Sequence, residues 1–160
     1  MGALGFTRHD HNCCIQNTVA VADAHCKQAG LQLTPIRKRV LEILLEEHRS
    51  LGAYEILDRL RQENLGSQPP VAYRALDFLV KNGFAHKIER LNAFVACTLP
   101  GETHTPVFMI CRKCDTVAES ASELSKGQLG RTADDLGFAI ERIIVEAEGL
   151  CPNCQETPTG

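Results

Sequence analysis

Apolar residues recur at helical spacing through the first half of the chain, and the period shortens to a strand-like one beyond it. A first helix is expected over 17–29, closed by Gly30. Thr34 then stands as an N-cap and Pro35 as a first helical residue, after which Ile36, Val40, Leu41, Leu44 and Leu45 fall on one face. A shorter helix over 53–64 turns Ile56, Leu57 and Leu60 inward and ends near Gly66. After Pro69 and Pro70 a fourth helix carries Leu76, Leu79 and Val80 toward a core and stops at Asn82-Gly83. Strands over 84–88 and 93–97, joined by a turn at 90–92, complete a hairpin.

Helices followed by such a hairpin describe a winged helix-turn-helix with the helix after Pro70 in the recognition position. Pro100-Gly101 and Pro106 mark a linker over 98–106. Beyond it, strands are expected over 107–111, 116–119 and 139–148, with a helix over 122–136 whose ends Gly127 and Gly130 blur. The fold class is therefore α+β. A tail over 1–16 precedes a winged-helix DNA-binding domain over 17–97. The hinge over 98–106 then leads to a small α/β dimerisation domain over 107–154 and a tail over 155–160. The second unit is too small to be comfortable alone and is expected to dimerise.

Charge sharpens this division. The chain of 160 residues has a formal net charge of −3. Residues 27–94 hold 11 Lys and Arg against 8 Asp and Glu, whereas the remainder holds 6 against 12. A mildly basic half suits a polyanionic partner. No apolar run is long enough to span a bilayer, and residues 1–12 lack the basic-then-apolar layout of a signal peptide, so a cytoplasmic protein is expected. In a reducing compartment the eight cysteines read as metal ligands or free thiols rather than disulfides.

Two Cys-x-x-Cys pairs, Cys111/Cys114 and Cys151/Cys154, form a closed four-thiolate set suited to a structural zinc that staples the second domain. Arg112 and Lys113 would offset its net negative charge. A thioredoxin-like redox pair is the competing reading, and the sequence lacks the βαβ pattern that would accompany it. A second set gathers around the hinge: His86 in the first wing strand, Cys97 at the end of the second, His104 in the linker and Glu119 beyond the first cysteine pair. Each alone has an ordinary structural explanation. Together they offer two imidazoles, one thiolate and one carboxylate, a tetrahedral set that suits zinc and binds it more weakly and reversibly than four thiolates. Two zinc ions per chain are thus expected, one structural and one regulatory, with no catalytic residues and no enzymatic activity. His9, His11, Cys13, Cys14, His25 and Cys26 near the N-terminus receive no role.

On the recognition helix, Tyr73 and Arg74 lie in the first turns. Arg74 can read guanine bidentately and Tyr73 can meet phosphate or a thymine methyl. Arg37, Lys38, Arg39, Lys87 and Arg90 are expected at phosphates. Asp58 and Arg61, one helical turn apart, either pair within their helix or bridge neighbouring dimers.

Leu33-Thr34-Pro35-x-Arg37, the run from Pro69 through Tyr73-Arg74-Ala75-Leu76-Asp77-Phe78-Leu79, Gly83-Phe84-Ala85-His86-Lys87 and the paired Cys-x-x-Cys units together resemble the ferric uptake regulator family, most closely its zinc-uptake-regulator branch. The resemblance covers roughly 19–154. It implies a cytoplasmic bacterial homodimer that binds operator DNA when zinc-loaded, as a single dimer or as paired dimers, and represses zinc-uptake genes; His86, Cys97, His104 and Glu119 match that branch's regulatory ligands. The family usually has Thr-Val before the Tyr-Arg pair, where this chain has Val71-Ala72 and so lacks a hydroxyl. Iron- and peroxide-sensing relatives carry a His-rich run before the first Cys-x-x-Cys, where this chain reads His104-Thr105-Pro106-Val107-Phe108-Met109-Ile110. A sensor of iron or peroxide on the same scaffold and a constitutive DNA-binding protein are the remaining alternatives.

Overall fold

The computed structural model describes residues 11–47, 49–66, 68–98, 100 and 104–156. Four helices come first: α1 (His11–Gln28), α2 (Pro35–Glu46), α3 (Ala53–Gln62) and α4 (Pro69–Lys81). The Thr34 hydroxyl accepts the Arg37 N–H at 3.4 Å and Pro35 opens α2. Two prolines open α4. At its other end the Asn82 side-chain amide donates to the Phe78 carbonyl at 2.8 Å, and Gly83 leaves the helix at φ 76°, a left-handed conformation natural to glycine. Leu41, Ile43 and Leu44 of α2, Ile56, Leu57 and Leu60 of α3, Leu76 and Leu79 of α4, and Phe84 form one buried core, to which α1 adds Ala22 and Cys26. The wing is the antiparallel pair β1 (Ala85–Ile88) and β2 (Ala93–Ala96). Leu51, between α2 and α3, exchanges backbone hydrogen bonds with Phe94 at 2.9 and 2.8 Å and lengthens this small sheet.

The C-terminal unit centres on β3 (Thr105–Cys111), flanked by antiparallel β4 (Val117–Ser122) and parallel β5 (Val145–Gly149). A 3-10 turn (Leu124–Lys126), α5 (Gln128–Asp135) and the short α6 (Pro152–Gln155) complete it. Ile88 and Val95 of the wing pack with Phe108, Ile110 and Val117 of this sheet in a second buried cluster, so the two units are docked through apolar surface.

Several boundaries differ from those expected. Helix α1 begins at His11, so 11–16 is helical rather than tail, with Cys14, Ile15, Thr18 and Val19 half-buried along it. The linker is shorter than 98–106 because β3 starts at Thr105, where it pairs with Ser122. That pairing also draws 120–122 into β4, and the helix expected over 122–136 shrinks to α5 behind the 3-10 turn. The strand expected over 139–148 forms only from Val145, opposite Val107, and 138–144 is irregular.

Candidate metal centres and nucleic-acid face

At the far end of the C-terminal sheet β3 delivers Cys111, the turn after it Cys114, the N-cap of α6 Cys151, and α6 itself Cys154. Their four sulfur atoms lie within 4.8 Å of one another, and none is in a disulfide. Cys114 Sγ and Cys151 Sγ are 3.8 Å apart, the edge of a tetrahedron with metal–sulfur bonds of about 2.3 Å. Backbone N–H groups of Cys151, Cys114 and Lys113 aimed at Cys111 outweigh its burial and bring its thiol down to about 6. Cys154 is pushed up to about 12 by hydrogen bonding to Cys151, by burial and by the other sulfurs. The first thiolate forms easily and the last resists, which is the electrostatic problem a divalent cation removes.

The second cluster spans the junction between the units. His86 stands on β1, Cys97 just after β2, His104 just before β3 and Glu119 on β4, and their ligand atoms also lie within 4.8 Å of one another. Glu119 Oε1 is 2.7 Å from His104 Nε2 and 2.9 Å from His86 Nε2, while Cys97 Sγ is 3.7 Å from both Glu119 Oε1 and His104 Nε2. The Thr98 N–H donates to the other carboxylate oxygen, Oε2, at 2.9 Å, and its hydroxyl donates there at 3.3 Å. Burial raises the Glu119 pKa, but the His86 imidazole, the Thr98 amide and His104 outweigh it and hold the carboxyl at about 2. His86 Nε2 is buried and close to Glu119, yet no aligned hydrogen bond satisfies it. An orphaned imidazole nitrogen facing a carboxylate, a thiol and a second imidazole fits a cation ligated by all four.

On α4, Tyr73 and Arg74 are both exposed. Tyr54, at the start of α3, was not singled out in the sequence, yet it is 66% exposed and shares a cleft of about 420 Å³ with Tyr73, Lys81 and Lys87. The signal was available: these are the chain's two tyrosines, both near helix starts in the basic half. Lys38 is exposed. The Arg37 guanidinium lies 3.8 Å over the Phe78 ring and donates to the Gln32 carbonyl at 2.7 Å, tying α2 to α4. Two of the expected phosphate contacts are paired within the protein. Arg39 is held by Glu42, Glu46 and Glu63, and Arg90 pairs with Glu148 of β5 at 2.8 Å, so both guanidinium groups are engaged by carboxylates. Asp58 and Arg61 pair within α3 at 3.4 Å. His9 lies outside the described residues, as does the side chain of His11, and among the described residues the remaining N-terminal cysteines and His25 join neither metal cluster.

A profile of the ferric uptake regulator family matches residues 28–147, three quarters of the chain and both clusters apart from the second cysteine pair. The chain belongs to that family. Among its relatives is the zinc uptake regulation protein of Escherichia coli (strain K12), 39% identical over 142 residues that cover 88% of this chain and 83% of the relative. A zinc uptake regulator solved in complex with zinc and DNA superimposes with a TM-score of 0.83 at 38% identity, covering 89% of this chain and 95% of that one. Holo XcZur gives a TM-score of 0.79 at 39% identity, covering 88% and 99%, whereas apo XcZur gives 0.50 at 40% identity over 88% and 97%. At near-equal identity the family fold of this chain therefore lies nearer the holo arrangement.

Proposed function

We propose that this family member is a zinc-responsive transcriptional repressor, a cytoplasmic bacterial homodimer that binds operator DNA in its zinc-loaded form and represses zinc-uptake genes. The observation that carries the reading is the convergence of His86, Cys97, His104 and Glu119 from both units onto one point. Their mixture of one thiolate, two imidazoles and one carboxylate favours zinc over ferrous iron. Bound zinc supplies a divalent charge that four residues from two units can share. Drawn together around it, these residues fix the wing and α4 relative to the dimerisation surface and so set the spacing of two recognition helices on a pseudo-palindromic operator. Cys111, Cys114, Cys151 and Cys154 hold the second zinc of each chain as a structural staple. The four sulfurs gathered at one point support that role over a redox pair. Exposed apolar side chains on and after α5, Leu129, Leu136, Phe138 and Ile144, supply the surface a second copy covers. Tyr73, Arg74 and Tyr54 meet the DNA, with Lys38 and Lys87 at phosphates and Arg37 bracing α4.

The energetics suffice. A site filled at ~100 times its dissociation constant biases the docked form by about 2.7 kcal/mol, and two sites per dimer approach the ~5.5 kcal/mol that moves a population from 1:99 to 99:1. The test is zinc-titrated binding to an A/T-rich palindromic duplex, with metal counted per chain. Cys97→Ser protein is expected to keep one zinc and to dimerise, and to lose tight duplex binding at moderate zinc. Undiminished zinc-responsive binding by that variant would overturn the reading, and a response to ferrous iron but not zinc would assign the scaffold to an iron sensor.

A further inference from the structure

The wing lies across one face of the C-terminal sheet and meets it in three places. Sheet register explains the arrangement: Glu119, Phe108 and Glu146 are cross-strand neighbours in one row, and Val117, Ile110 and Glu148 form the next. Neighbours in register share a face, as do residues two apart along a strand. His86 meets Glu119 at the β4 edge, and Ile88 and Val95 cover the apolar middle. The turn between β1 and β2 then reaches the β5 edge. There the Glu89 N–H donates to Glu146 Oε1 at 2.9 Å, Arg90 Nη2 lies 2.8 Å from Glu148 Oε2, and Arg142 Nη2 lies 3.6 Å from Glu89 Oε1.

We propose that Glu146 and Glu148 of β5, with Glu89 and Arg90 of the wing turn, form a metal-independent clasp that holds the wing on the sheet and thereby positions His86 against Glu119. The clasp rests on the sensor reading for its purpose: it sets how much zinc is needed to complete the hinge site. A ligand whose competent arrangement is only fractionally populated binds with an affinity reduced by that fraction, so residues that keep the units docked raise zinc affinity without touching the metal. The apolar middle gives attraction without register. The charged edge adds register, because Arg90 and the Glu89 amide must each meet a particular carboxylate. Exposed ion pairs are individually weak, worth a factor of about five at most, and the effect is therefore largest when both β5 carboxylates are removed.

The experiment compares wild type with the Glu146→Ala/Glu148→Ala double variant, the Arg90→Ala and Glu148→Ala single variants, and the exchanged pair Arg90→Glu/Glu148→Arg. Hinge-site zinc affinity is measured by competition with a chromophoric chelator, and wing docking by amide hydrogen exchange over 85–96 in protein holding only the four-cysteine zinc. The double variant is expected to need about 10-fold more zinc for half-saturation, to exchange faster in the wing, and to bind the duplex as wild type does at saturating zinc. The exchanged pair is expected to recover most of that loss. Unchanged zinc affinity and exchange in the double variant would overturn the clasp. So would an Arg90→Ala variant that weakens duplex binding at saturating zinc while Glu148→Ala leaves zinc affinity intact, since Arg90 would then be a phosphate contact. A wild-type protein that takes up no second zinc overturns the sensor reading instead, and faster wing exchange in the double variant would still carry the clasp.

Discussion

Glu119 uses its two oxygens differently. Oε1 faces His86, His104 and Cys97, and Oε2 is held by the amide and hydroxyl of Thr98. With one oxygen engaged, the carboxylate presents a single ligand atom, which suits a four-coordinate ion. Thr98→Val is expected to weaken zinc binding at the hinge by up to about 10-fold, with Thr98→Ser restoring it. Cobalt substitution provides the check, because its visible bands lose intensity if the carboxylate becomes bidentate. The sign of the pH effect also follows from Glu119. Its folded-state pKa of about 2 lies below the ordinary 4.5, so its contribution to docking is fully present above about 4.5 and is lost as pH falls through about 2. At neutral pH it has no proton to shed on metal binding. All four residues of this cluster were legible in the sequence as residue types near a hinge. Thr98 was not, because its role depends on a contact made across 21 positions of sequence.

Helices α2, α3 and α4 were legible because each carries its own start signal, an apolar face or both: Thr34-Pro35, the buried side of Ile56, Leu57 and Leu60, and Pro69-Pro70. The C-terminal elements were less so, since their limits are set by partners rather than by local propensity. Residues 120–122 have no strong strand signal and become strand because β3 lies beside them. The apolar run through Ile143 and Ile144 looks like strand, but pairing with β3 begins only at Val145. Gly130, which blurred the expected helix, has a packing reason: a Cβ there would stand 1.8 Å from the Ser125 carbonyl oxygen, so α5 closes against the preceding turn only with glycine. Gly130→Ala is expected to destabilise the C-terminal unit by about 1–3 kcal/mol, visible as a lower Tm of the zinc-loaded dimer at fixed protein concentration.

For the whole molecule, the order of units and the paired Cys-x-x-Cys units could be read from spacing, and the second candidate set from residue types around the predicted hinge, whereas the docking of the units could not, because the cluster of Ile88, Val95, Phe108, Ile110 and Val117 joins residues that are merely apolar in sequence. The two proposed metals should leave in sequence. A chelator of moderate affinity is expected to remove one zinc per chain and abolish duplex binding while light scattering still reports a dimer; a stronger chelator, on removing the second, should bring loss of the dimer. Loss of both metals in one step would show that the sites differ less than their ligands imply. The segment between α2 and α3 adds a further tie. Leu51 pairs with Phe94 of the wing, and Arg49 forms a β-bridge with Thr116, whose hydroxyl lies 3.1 Å from Cys114 Sγ. One stretch of backbone thus splices the DNA-binding unit to the doorstep of the four-cysteine site. Damage to that staple would be felt at the operator as well as at the dimer contact, and a genetic screen for lost repression would recover cysteine-pair mutants alongside those of the recognition helix.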